Sequence, residues 1–260
     1  MVRRPPPSKS QPSYLSPARP RVFAHRGLAV DAPENTLLAF AKAVALGVEY
    51  VETDVHASAD GVAVIAHDPD LSRVAGRTVR VEQLTFAELR RVDLGDGQSF
   101  SSLAEALEAF PETRFNIDVK SQAAVAPAVA AILAAGASNR VLVSSFGEKR
   151  RAEAIRGLPG VVSSASARRL VVALLAGKLG LSPVVRAALK GLVAVQVPEK
   201  ALGLRVTTPK MIARFHHAGV EVHVWTINDP DRMHELLDIG VDGLVTDRAD
   251  LAREVVASRS

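Results

Sequence analysis

Glu52 and Asp54 stand two residues apart in a run rich in β-branched residues, Tyr50-Val-Glu-Thr-Asp-Val-His56. On a strand both carboxylates leave from one face, while Val51, Thr53 and Val55 leave from the other. Two carboxylates side by side on a face that closes against the rest of the chain repel each other. Burial then raises the pKa of at least one unless a cation lies between them, and a divalent metal is the economical cation. Asp60-Gly61 is a two-residue hairpin signal, and pairing centred between residues 60 and 61 sets His67 across from Asp54. An imidazole thereby returns to the carboxylates. Taken alone, the run also fits a solvent-facing hairpin with scattered polar residues.

A second strand repeats the pattern. In Phe115-Asn-Ile-Asp-Val-Lys120, parity puts Asn116, Asp118 and Lys120 on one face and the apolar residues on the other. Glu52, Asp54 and Asp118 make an all-oxygen set suited to Mg²⁺ or Ca²⁺, with Mn²⁺ an alternative and zinc a poorer match. His25 and His67 have the intrinsic pKa for general acid and base work near neutrality. Arg26 and Lys120 supply fixed positive charge for a phosphate and for charge building on phosphoryl oxygens. Trp225, the one tryptophan, stands at a strand end beside Asn228 and reads as a pocket wall, with Phe146 a weaker case of the same kind. The sum is phosphoester chemistry.

Other polar residues have plainer readings. Glu34 and Asn35 fall where a helix begins, so capping accounts for them. His223 shares an inward face with Glu221 and Trp225 and reads as a hydrogen-bonded core group, while His56, His216, His217 and His234 read as surface residues.

The elements that must position these groups alternate. Apolar strands are expected near 21–25, 49–55, 115–119, 140–144, 161–165, 193–197, 220–225 and 243–246. Helices are expected near 35–46, 102–110, 121–135, 147–156, 168–179, 182–190, 208–218, 229–239 and 248–257. Residues 62–66 return antiparallel after the hairpin, because a two-residue connection permits nothing else. Residues 68–100 form a small insertion, with a short helix at 85–92. Eight parallel strands alternating with helices is the (β/α)₈ TIM barrel of the α/β class, with a doubly wound open sheet as runner-up. In such a barrel functional groups collect at the carboxyl ends of strands. His25, Glu52, Asp54, Asp118, Ser145-Phe146, Gln196, Trp225 and Thr246-Asp247 all fall there.

Composition narrows the partners. Of the 260 residues 48% are hydrophobic and 23% charged, as in a soluble globular protein. Residues 1–20, rich in proline and carrying Arg3, Arg4, Lys9 and Arg19 without an acid, read as a disordered basic tail before a domain at 21–257. The body is near neutral overall, which argues against a nucleic-acid partner. The tail lacks the apolar segment of a secretory signal and no run is long enough to span a bilayer, so a cytoplasmic location is the default expectation. Without cysteine there are no disulfides, thiolate nucleophiles or cysteine metal sites. Leu170 to Leu181 reads as an ordinary packed helix, and contact with a membrane surface is the lesser alternative. Oligomeric state is not legible.

The motifs His25-Arg26-Gly27, Pro33-Glu34-Asn35-Thr36, Glu52-Thr53-Asp54, His67-Asp68, Asn116-Ile-Asp-Val-Lys120 and Val224-Trp225-Thr226-Ile227-Asn228 resemble those of the glycerophosphodiester phosphodiesterase family. Order and spacing agree over residues 21 to 255. The resemblance implies a (β/α)₈ barrel with a small insertion after the second strand. It also implies metal-dependent hydrolysis of glycerophosphodiesters, small-molecule substrates, to glycerol 3-phosphate and an alcohol. It assigns acid/base roles to His25 and His67, phosphate binding to Arg26 and Lys120, and metal binding to Glu52, Asp54 and position 118. The family usually has Glu at that last position and this chain has Asp, which withdraws the carboxylate by one methylene. Two alternatives stand beside this reading: a lysophospholipase D or sphingomyelinase D-like phosphodiesterase, and a non-catalytic phosphodiester-binding module.

Overall fold

Short apolar strands flanked by amphipathic helices cannot bury their faces singly, and here they do so by closing a ring. The computed structural model describes residues 14–259. Its eight parallel strands are β1 (Arg21–His25), β2 (Tyr50–Ala57), β3 (Arg114–Val119), β4 (Val141–Ser144), β5 (Val162–Ser163), β6 (Ala194–Pro198), β7 (Glu221–Trp225) and β8 (Gly243–Thr246). They pair in ring order from β5 through β1 and β8 to β6. A single parallel bridge, Ser164 with Ala194, joins β5 to β6, supported by Val193 N donating to Ser163 O at 3.1 Å. The architecture is thus the (β/α)₈ barrel, and each expected strand lies within about two residues of its observed bounds.

One apolar layer lies between strands and helices, with Val51, Val55, Phe115 and Ile117 facing the buried faces of helices such as Leu37–Ala45 and Leu103–Ala109. A second fills the barrel floor with Phe23, Tyr50, Leu142 and Val245. Gly243 is required there, because a Cβ would come within 2.8 Å of both the Phe23 and the His223 ring.

Three expectations change in the structure. The hairpin centres on residue 60, with Val55 opposite Ile65, His56 opposite Val64 and Ala57 opposite Ala63. The loop is therefore three residues long. Ser58 O accepts from Gly61 N at 3.1 Å, Gly61 takes φ +79°, and the Ser58 hydroxyl accepts from Val62 N at 2.9 Å, so a turn followed by a left-handed glycine closes the hairpin. Ala66, rather than His67, now opposes Asp54, donating to its carbonyl at 3.0 Å.

The second change is at the amino terminus. Tyr14 is only 1% exposed and packs edge-on against Tyr50 beneath the barrel floor, so the expected disordered tail is anchored to the barrel at Tyr14. Residues 1–13 lie outside the described residues. Third, the insertion holds more than its short helix, Phe86–Leu89. It adds a strand pair, Asp70–Leu71 with Arg77–Arg80, and a one-turn helix, Ser72–Ala75, over a small core of Val64, Leu71, Leu89 and Phe100. Among the described residues no helix is long and apolar enough to cross a membrane.

Candidate active site

Register decides which carboxylates meet. β1 pairs with β2 so that His25 lies beside Glu52, and β2 pairs with β3 so that Glu52 lies beside Asn116 and Asp54 beside Asp118. Alternation then points all of these into the carboxyl-terminal mouth. One cavity of about 480 Å³ is lined by His25, Arg26, Glu52, Asp54, His67, Asn116, Asp118 and Lys120 on its polar side. Phe146 and Trp225 line it too, with their ring centroids 6.4 Å apart and near perpendicular. Every candidate residue read from the sequence thus reaches a single cavity.

The carboxylates are buried and incompletely satisfied. Burial, with the Asp54 charge beside it, pushes the Glu52 carboxyl up to about 8. Its hydrogen-bond donor is Arg26 N, 3.3 Å from Oε2. Asp118 is also raised, by burial above all, although Lys120 acts against that shift. Lys120 Nζ sits 2.7 Å from Asp54 Oδ1 and 2.7 Å from Asp118 Oδ2, and these two charges overcome its burial and raise its pKa. Asn116 Oδ1 and Asp118 Oδ1 are buried with no hydrogen-bond partner. Buried acceptors left this way are costly and point to a missing donor or cation.

Each histidine has a carboxylate behind it. His25 Nδ1 is 2.6 Å from Asp247 Oδ1, and Asp247 is held by Asn228 Nδ2 at 2.8 Å. Burial opposes charging of His25, but the Asp247 bond and the Glu52 charge prevail and raise its pKa. Its Nε2 lies 3.9 Å from Glu52 Oε2. His67 Nδ1 is 2.7 Å from Asp68 Oδ1, and His56 Nε2 is 3.2 Å from the His67 carbonyl. His56 is therefore a half-buried neighbour of the site and not the surface residue expected, and burial lowers its pKa. His223 is fully buried, with Nε2 3.0 Å from Glu221 Oε2, the core role that parity suggested.

The Pro33-Glu34-Asn35-Thr36 turn also departs from expectation. Thr36 caps the helix, accepting from Ala39 N at 3.2 Å, which frees Glu34 and Asn35 for the site. Asn35 takes a left-handed φ of 57°, donates to Asp54 Oδ2 at 3.1 Å and accepts from Thr53 Oγ1 at 2.8 Å. Glu34 Oε1 accepts from Arg26 Nη1 at 2.8 Å and from Arg73 Nη2 at 2.6 Å. Arg73 also donates through Nε to Asp68 Oδ2 at 2.6 Å, so one side chain of the insertion ties the carboxylates behind both Arg26 and His67. Arg26 itself has φ 57°, strained for a residue with a side chain. Sequence reasoning missed Arg73, and it placed Asp247 at a strand end and Asn228 beside Trp225 without giving either a role in the site.

Comparison with known proteins agrees on the family. The profile of the glycerophosphoryl diester phosphodiesterase family matches residues 25–251. A curated Mycobacterium tuberculosis protein, named probable glycerophosphodiester phosphodiesterase 2, is 44% identical over 239 residues, which are 91% of this chain and 90% of that one. A glycerophosphodiester phosphodiesterase structure from Thermotoga maritima superposes with a TM-score of 0.72 at 28% identity, covering 90% of this chain and 97% of the other. An Oleispira antarctica phosphodiesterase, solved with its product sn-glycerol-3-phosphate, shares the fold with a TM-score of 0.76 at 23% identity, over 92% and 97% of the two chains.

Proposed function

The chain belongs to the glycerophosphoryl diester phosphodiesterase family, and from that premise we propose that it hydrolyses glycerophosphodiesters to glycerol 3-phosphate and an alcohol with His25 and His67 as the acid/base pair. The observation that carries the proposal is the convergence of both histidines, three carboxylates, Arg26 and Lys120 on one cavity. Asp247 and Asp68 hold the Nδ1 atoms, which orients each ring and leaves Nε2 for proton transfer. One imidazole takes the proton of the attacking hydroxyl or water, and the other gives a proton to the departing alcohol. Arg26 and Lys120 bind the phosphoryl oxygens and hold charge that grows on them. Trp225 and Phe146 wall the substrate from water on one side.

Glu52, Asp54 and Asp118 are the residues that would hold a divalent ion. Among the described residues no three His, Asp or Glu side chains stand in a ready coordination cluster, and Lys120 occupies the space between Asp54 and Asp118. The donor chemistry nevertheless fits a hard cation, because Asp118 Oδ1 and Asn116 Oδ1 lack partners and Glu52 is driven toward its neutral form without one. A bound Mg²⁺, Ca²⁺ or Mn²⁺ would supply Lewis-acid stabilisation of a phosphoryl oxygen. The test is release of glycerol 3-phosphate from a panel of glycerophosphodiesters, after chelation and with each metal restored. Release that requires metal supports the proposal, and no release from any headgroup under any metal overturns it.

A second substrate is favoured by an apolar stretch of the same cavity, Ala165, Leu170, Val171, Pro198 and Leu202, which continues outward from the Ser164 and Gln196 side chains. That wall suits the acyl chain of a lysophospholipid. Competition between glycerophosphocholine and lysophosphatidylcholine separates the two: preference for the acylated substrate would make the enzyme a lysophospholipase D.

A further inference from the structure

The helix Ala167–Lys178 does not serve the barrel as the others do. Its first residues, Ala167, Leu170 and Val171, line the catalytic cavity. Its last, Lys178, donates to Arg205 O at 2.8 Å in the loop after β6. The helix therefore runs along the rim of the mouth from the β5 side to the neighbouring β6 side, and the next helix, Ser182–Leu189, leads back to β6 with Val185 and Leu189 buried. While Ala173, Leu174 and Ala176 are buried beneath the first helix, Val172, Leu175 and Leu179 stand out in solvent, Leu179 at 75% exposure. Leu202, at the tip of the neighbouring hairpin, is 64% exposed, and Phe146, whose carbonyl accepts from Ala167 N at the start of the helix, is 60% exposed. Phe146 and Leu202 line the opening, and Val172, Leu175 and Leu179 stand on the helix whose first residues line it too; exposed apolar side chains gathered in this way mark a contact surface.

Charge on the stretch that builds this side of the barrel is one-sided. Residues 146–205 hold eleven lysines and arginines against three acids, although the chain as a whole has a net charge of only +4. The acids are already engaged: Glu148 with Arg151 and Arg169, Glu153 with Gln122, and Glu199 with Arg232. Lys149, Arg168, Lys178, Lys200 and Arg205 are all exposed.

We infer that this apolar, cationic rim docks on an anionic lipid surface, so that the cavity opens toward the bilayer and receives single-chain phosphodiesters from it. The inference rests on the phosphodiesterase reading for its substrate, but the surface stands on its own geometry. Basic side chains gain energy from the negative potential of the leaflet, and the aliphatic residues insert at the interface. The cavity's apolar wall continues onto the same rim through Leu170, Val171 and Leu202, which gives a lipid chain an uninterrupted path to the catalytic floor. A purely polyanionic partner such as nucleic acid would use the cations and leave the leucines idle.

The test is co-sedimentation of the full chain with phosphatidylglycerol vesicles and with phosphatidylcholine vesicles, comparing wild type with the double variant Leu175→Glu, Leu179→Glu. Wild type is expected to bind phosphatidylglycerol vesicles at least roughly tenfold better than neutral ones and to be released by salt. The double variant is expected to lose that binding while hydrolysing soluble glycerophosphocholine at the wild-type rate, which also verifies its fold. In parallel it should slow on lysophosphatidylethanolamine carried in phosphatidylglycerol vesicles. Failure of wild type to sediment with phosphatidylglycerol overturns the inference, even where glycerophosphocholine is hydrolysed. So does binding that the double variant retains in full, the outcome expected of a polyanion site. Failure to hydrolyse glycerophosphocholine with vesicle binding intact would instead count against the phosphodiesterase reading alone.

Discussion

The two ends of the barrel use the same kinds of side chain to opposite effect. At the amino-terminal end Arg21, 4% exposed, spends its guanidinium on Glu221 twice at 2.8 Å, on Tyr50 Oη at 2.6 Å, and on the carbonyls of Pro17 and Leu15. Tyr50 donates onward to Tyr14 O at 2.6 Å. The two Arg21 bonds, with His223 Nε2 at 3.0 Å, outweigh burial and hold Glu221 down at about 2. At the carboxyl-terminal end Glu52 is pushed to about 8, and carboxylate and amide oxygens go without donors. A buried charge surrounded by donors is structural, and one left short of them is reserved for something that arrives later.

The contrast can be broken most sharply by the histidines. His25→Ala or His67→Ala should each lower the turnover of glycerophosphocholine by at least ~10² while leaving the melting temperature close to wild type. A comparable loss of stability would show that the mouth is structural after all. The reverse pattern is expected below. Arg21→Ala should cost about 3–5 kcal/mol in urea unfolding by stranding Glu221, with kcat of the folded enzyme nearly unchanged.

Stability against pH gives a subtler test, made in the presence of chelator. Glu52, raised from its ordinary 4.5 to about 8, binds a proton more tightly folded than unfolded. Its contribution is full below pH 4.5 and is lost as pH rises through 8. Glu221, lowered from 4.5 to about 2, contributes above pH 4.5 and loses that as pH falls toward 2. Urea midpoints should therefore show E52Q flattening the fall between pH 4.5 and about 8, and E221Q the fall between pH 4.5 and about 2. Mg²⁺ should raise the midpoint of wild type near pH 8 but not that of E52Q. The smallest effect is expected at Arg73, half-exposed: R73Q should reduce kcat by about two- to fivefold, the scale of exposed ion pairs. A loss near that of the histidine variants would mean that the insertion positions the site more tightly than its exposure suggests.

Local pattern carried much of this. Strand parity alone put Glu52 with Asp54 and Asn116 with Asp118 and Lys120, because a two-residue period is a property of one strand. Asn35 shows the limit. Its place before a helix reads as a cap, yet Thr36 holds that position and Asn35 turns to Asp54, a choice made by the left-handed turn between β1 and the helix. The hairpin shows it again, since a serine side chain in the loop moved the register by half a pair and His67 off Asp54.

The sequence by itself determined the eight-strand alternation, the inward carboxylates, and the histidines and cations at strand ends, all of which follow from short-range periodicity and turn chemistry. Only the tertiary structure decided that Asp247, 222 residues away, orients His25. The same is true of Arg73 tying Glu34 to Asp68, Lys120 lying between two carboxylates, and a helix of exposed leucines along the rim of the mouth. These depend on ring closure, which brings β8 beside β1 and sets the level of each strand against the next, and no local pattern in the chain encodes that level.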